Sequence, residues 1–135
     1  MWKKFRRDER GAAMVEFALV STLVFIPIVF GIVEFGRVVW AKDMVTAAAR
    51  EGVRYAIVHG SSSGGTVADS TSIANYVKGR TQLAPITVRS AWTTAGKNPG
   101  DTVTVTVEYS YTPLVNIRGL GSKLVSGRSK QIVAF

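Results

Sequence analysis

The chain has 135 residues, no cysteine and a formal net charge of +8. The missing cysteines exclude a disulfide framework and thiolate metal sites, while leaving the redox compartment open. The length fits one membrane segment beside one small domain, near the lower limit at which a domain buries enough core to stand alone, so the domain is expected to lean on the helix that carries it.

Residues 1–11 read as a basic leader. Lys3, Lys4, Arg6, Arg7 and Arg10 outweigh Asp8 and Glu9, giving +3 directly ahead of an apolar run. Positive charge at such a boundary is retained in the cytoplasm, which predicts the N-terminus inside and the C-terminus outside. The rest of the chain carries 12 basic and 7 acidic residues, or +5. These cations do not interleave with aromatics in a recognisable nucleic-acid module, so a solvated mixed surface is expected and no nucleic-acid partner.

Residues 12–33 are apolar or small, interrupted by Glu16, Ser21, Thr22 and Pro27. That length crosses a hydrocarbon core as a helix. Pro27 removes one backbone hydrogen bond and crowds the preceding turn, so a kink or a locally unwound stretch is expected there. A cleaved secretory signal would have a shorter apolar region with a small-residue site just beyond it, and Val38-Val39-Trp40-Ala41-Lys42 offers none. A plain signal anchor fits the hydropathy equally well. It does not account for Glu16 at this spacing from Gly11, and an ionised acid at the centre of a bilayer costs roughly 2.5 to 3.5 kcal/mol on insertion scales. The bland explanations of Glu16 are a protonated carboxyl hidden in lipid or an acid that snorkels to the surface.

The helical pattern continues past the membrane through residues 34–58. Val45, Ala48, Ala49, Gly52, Val53 and Ala56 make a small-residue apolar stripe, with Asp43, Arg50, Glu51 and Arg54 off it. A continuous helix over residues 12–58 would be roughly 70 Å long, its first half in lipid and its second half the spine of a domain. Glu34 and Arg37 are spaced as an intrahelical i, i+3 pair at the outer boundary.

Residues 59–135 read as a small α+β domain. His59-Gly60-Ser61-Ser62-Ser63-Gly64-Gly65-Thr66 is a polar breaker and a flexible loop, without the lysine of a phosphate cradle. Asp69 or Ser70 caps a short helix reaching about Thr81, with Ile73, Tyr76 and Val77 facing the core. Residues 86–93 alternate as a strand, with Ile86, Val88 and Trp92 on one side. After the Gly96-Lys97-Asn98-Pro99-Gly100 turn, residues 102–111 set Val103, Val105, Val107, Tyr109 and Tyr111 against Thr102, Thr104, Thr106, Glu108 and Ser110. A last strand is expected over residues 129–135, and residues 112–127 as a long loop where recognition contacts would be most plausible, plain connection being the simpler reading. The predicted class is α+β: a long N-terminal helix packed on a small three-stranded antiparallel sheet with one short extra helix.

Little in the sequence supports catalysis. His59 sits at a helix end beside glycines, where a solvated or capping role is the ordinary one. No nucleophile has an evident partner, and no cluster has metal-ligand spacing, so no enzyme and no cofactor are expected.

The stretch from Gly11 to Phe17, GAAMVEF, resembles the type IV pilin leader motif, in which a glycine precedes the scissile bond and a glutamate is the fifth mature residue. The likeness extends over residues 10–58. Glu16-Phe17, Pro27, Gly31, Glu34-Phe35-Gly36-Arg37 and Ala47-Ala48-Ala49-Arg50-Glu51-Gly52-Val53-Arg54 are similar to the TadE-like minor pilins of the tight-adherence (Flp, type IVc) pilus. Phe17 where the major pilins carry tyrosine, and a C-terminal half too large for those short chains, favour a minor pilin. The resemblance implies cleavage between Gly11 and Ala12 by a prepilin peptidase, and assembly through pairing of Glu16 with the freed Ala12 amine of a neighbouring subunit. A carboxylate and an ammonium, each costly alone in low dielectric, offset one another when paired and so penalise misregister. The partners it implies are the peptidase, other minor pilins, the major Flp pilin, the lipid bilayer and the inner-membrane platform with its ATPase. The competing expectation is a permanently anchored single-pass protein whose extracytoplasmic domain binds a ligand or partner, and a weaker one is an adhesive tip subunit using residues 112–127.

Overall fold

The computed structural model of the protein describes residues 9–114 and 121–133. The elements run in the order α1 (Glu9–Val58), α2 (Ser70–Arg80), β1 (Ile86–Trp92), β2 (Thr102–Tyr111) and β3 (Lys123–Ile132). The class is α+β as expected: a long helix, a short one and an antiparallel three-stranded sheet ordered β1-β2-β3. The chain divides into two compact units within α1, between Gly36 and Arg37.

α1 begins three residues ahead of the expected start at Ala12 and is α-helical through Pro27 to Val58. Nothing at Gly11 stops a helix from extending one turn further, because each added residue brings its own backbone hydrogen bond once a nucleus exists.

In the second unit, α1 buries Ala41, Val45, Ala49, Val53 and Ala56, close to the expected stripe, with Ala48 only partly buried. Ile73 and Val77 of α2, Leu83, Val103, Val105, Val107 and Tyr111 of β2, and Val125 of β3 complete one core. α2 has the predicted cap. Asp69 accepts from the Ser72 backbone N–H at 2.6 Å while Ser72 Oγ accepts from the Asp69 N–H at 2.9 Å, a reciprocal capping box.

Two glycines set how closely the layers approach. A Cβ on Gly52 would stand 2.8 Å from Val77 Cγ2 and 3.0 Å from Val105 Cγ1, so the side chains of α2 and β2 press there on the bare backbone of α1. A Cβ on Gly127 would lie 2.5 Å from the Val45 carbonyl and the Thr46 nitrogen, so β3 rests directly on the α1 backbone. Lys42 Nζ donates to the Ser126 carbonyl beside this contact.

β3 corrects the sequence reading. It starts at Lys123, not Ser129, so residues 123–127 are strand and not loop. Its register runs from Tyr111↔Lys123 to Thr102↔Ile132, which pairs the whole of β2. Half of β2 would otherwise leave its ladder groups open, and Gly127 belongs to the strand because only a glycine fits against α1. The expected strand residues Ala134 and Phe135, and residues 115–120 of the expected loop, lie outside the described residues.

The glycine-rich breaker is tied down. Ser61 N–H donates to the Lys97 carbonyl at 3.1 Å and Ala68 N–H to the His59 carbonyl at 2.8 Å. Lys97 Nζ reaches the Ala68 carbonyl at 2.7 Å and lies over the Trp92 ring, 5.4 Å from its centroid.

Candidate functional site

The residues singled out by the sequence fall on the first turns of α1. Gly11 is helical and exposed, and a Cβ there would meet nothing within 4 Å. Ala12 and Glu16 are also exposed, and four residues of helix separate them by about 6 Å along the axis. Of the leader, Lys3, Lys4, Arg6 and Arg7 lie outside the described residues, and Arg10 is inside α1.

Around Glu16 the helix is apolar on every side. Met14 and Phe17 are 75% and 74% exposed, and Leu19, Leu23, Phe25, Ile28 and Ile32 are exposed with them. A helix apolar all round is stable only when buried in protein or lipid. None of its most apolar stretch is buried within the chain, and its length and composition suffice to cross a membrane. In such a medium the carboxylate of Glu16 is the group that most needs a cation.

Arg37 makes a contact that helix spacing does not suggest. Its guanidinium lies over the Tyr111 ring, 5.3 Å from the centroid. Sequence reasoning missed this contact, because no local spacing relates residue 37 to residue 111.

The far end of α1 carries a second cluster. His59 Nδ1–H donates to the Tyr55 carbonyl at 2.9 Å, which satisfies a C-terminal carbonyl of the helix. The His59 and Tyr55 rings stack at 4.2 Å, Tyr55 stacks on Tyr76 at 4.4 Å, and the Arg80 guanidinium covers Tyr76 at 4.9 Å. The i, i+4 spacing of Tyr55 and His59 was legible, but Tyr76 joins them only through the packing of α2. A cavity of about 410 Å³ opens beside this column, with Glu51, Arg54 and Val58 also on its wall.

Among the described residues no three His, Cys, Asp or Glu side chains come together to hold a metal ion. Asp101 accepts from the Asn98 N–H at 2.9 Å and shapes the β1–β2 turn, while Glu108 pairs with Arg89 at 3.8 Å on the sheet surface. Asp69 is the carboxyl whose pKa is held below its usual value, chiefly by the Ser72 backbone N–H and then by the Ser72 hydroxyl.

No curated protein and no solved structure matches the chain. A family model described as TadE-like protein matches residues 11–54, from the glycine at the head of the apolar helix to an exposed arginine beside the buried stripe. Over these residues the chain is similar to the TadE-like family, the one its sequence resembles.

Proposed function

We propose that this chain is a minor pilin, or pseudopilin, needed for assembly or priming of a Tad/Flp-type pilus. The observation that carries the reading is the exposed Glu16 carboxylate, one helical turn beyond Ala12 in the apolar first half of a helix that matches the TadE-like family model. The chain is held in the cytoplasmic membrane with its N-terminus inside, by the basic leader, until a prepilin peptidase cuts after Gly11. The freed Ala12 ammonium of one subunit then pairs with Glu16 of the next, and the subunit passes with its neighbours into the filament. The companion minor pilins, the major Flp pilin and the ATPase-driven platform are its partners in this reading, and the chain itself does no chemistry.

The cut bond lies inside α1, so the peptidase has to find the first turn open. That turn is the weakest part of any helix, because its N–H groups lack intrahelical acceptors, and a glycine within it lowers helix propensity by about 1 kcal/mol relative to alanine. The same unbroken helix across Gly11 and Ala12 is what favours the alternative, a permanently anchored protein with a binding domain.

Intact mass and N-terminal sequencing of the protein from membranes with and without the peptidase distinguish the two. A terminus at Ala12 that requires both the enzyme and Gly11, and is lost in Gly11→Leu, is the expected result. A chain still starting at Met1 would leave the anchored protein as the account. Glu16→Gln is then expected to be cut normally, to keep its folded domain and to be missing from sheared filaments.

A further inference from the structure

The packing of the domain uses one face of the sheet, and the other face carries a pattern of its own. The strand registers place Arg89, Thr106 and Arg128 in one row across the sheet, and Ala91, Thr104 and Lys130 in the next. With strands about 4.8 Å apart and same-face residues about 6.7 Å apart along a strand, the three cations spring from backbone positions within about 12 Å of one another. Arg89, Arg128 and Lys130 are exposed.

Charge on this face is unbalanced. Glu108 pairs with Arg89, whereas the residues opposite Arg128 and Lys130 in the ladder are Thr106 and Thr104. Thr106 stands between Arg89 and Arg128, Thr104 between Ala91 and Lys130, and Thr102 continues the row of hydroxyls along β2 opposite Ile132. The rings of Trp92, Tyr109 and Tyr111 belong to the opposite, inward face, so among the described residues the outer face offers no aromatic platform.

We infer that this outer face binds an acidic polysaccharide. Such a ligand repeats carboxylates among hydroxyls along a line, which is the chemistry the face presents in complement. Arginine and lysine make charge-assisted hydrogen bonds to carboxylates, and threonine hydroxyls both donate to and accept from sugar hydroxyls. Single-stranded nucleic acid is the poorer fit because its binding relies on base stacking as well as on cations. The inference uses the sheet alone, so an uncut chain in the mass experiment would leave it standing.

The test uses the full chain in a neutral detergent and four soluble probes: alginate, uncharged dextran, poly-L-glutamate and a twenty-residue oligothymidylate. Binding to alginate that weakens with added salt is expected, with none to dextran and weaker binding to the other two. Arg128→Ser with Lys130→Ser is expected to weaken alginate binding by roughly tenfold, while the charge-matched pair Arg50→Ser with Lys78→Ser leaves it near the parent value. Equal loss from both pairs would show that overall charge is responsible and overturn the assignment to this face. Poly-L-glutamate or oligothymidylate bound as tightly as alginate would overturn the polysaccharide, and no alginate binding would overturn the site.

Discussion

Residues 11–33 of α1 present apolar side chains in every direction, whereas residues 41–56 bury Ala41, Val45, Ala49, Val53 and Ala56 and expose Lys42, Asp43, Arg50 and Arg54. One backbone conformation thus serves two surroundings, and the side chains alone distinguish them. In the first stretch any apolar residue satisfies lipid, so bulk varies freely among valine, phenylalanine and isoleucine. In the second the stripe is narrow and its members small, because a sheet and a second helix must come close. The first region is selected by solvent and the second by shape.

The sharpest way to break that contrast is to place the same acid in both halves. Val53→Asp puts an unpaired carboxylate into the core at a cost of about 4 kcal/mol, close to the whole stability of a small domain. Loss of protease resistance of residues 37–133 is expected, with membrane partition retained. Val24→Asp should do the reverse, reducing membrane insertion by roughly 2.5 to 3.5 kcal/mol while the domain stays resistant. If both variants lost the domain, the two stretches would be one cooperative unit and the contrast would fail.

Glycines give the next largest effect. Gly127→Val drives side-chain atoms into the backbone of Val45 and Thr46, which cannot move without moving α1, and about 3 kcal/mol of destabilisation in a urea melt is expected. Gly31→Val meets nothing within 4 Å and should leave the melt unchanged. Gly52→Ala is intermediate at about 1 to 2 kcal/mol, since the methyl groups of Val77 and Val105 can turn aside in part.

These positions also mark what the sequence discloses. Period-two alternation in β2, the Asp69 cap and the small stripe of α1 are local patterns, and each is legible because it is written within about ten consecutive residues. Gly127 is the opposite case. As a letter it reads as a breaker, and its place inside β3 follows only from the approach of Val45, 82 residues earlier. The same holds for Arg37 over Tyr111 and for Tyr76 in the ring column. The candidate site was legible in spacing because Ala12, the residue after Gly11, and Glu16 are four apart and share one helical face. Its proposed partner is an amine on another chain, which the fold of one chain does not display.

The smallest expected effect lies at Asp69, where a substitution can separate the cap from its charge. The carboxylate is stabilised by the Ser72 N–H and hydroxyl, so its pKa is lower in the folded domain than in the unfolded chain. Its ionised form therefore contributes stability above the unfolded value, about 3.9, and that contribution is lost as pH falls through the folded value. Asp69→Asn keeps an oxygen for the Ser72 N–H and should melt close to the parent at pH 7. It should also melt with a shallower decline below pH 4. Asp69→Ala removes cap and charge together, so its melting temperature should drop at pH 7 as well, while its acid decline matches that of Asp69→Asn. A parent and an Asn variant with identical acid declines would mean that α2 is held by Ile73 and Val77 in the core and that its cap contributes nothing through charge.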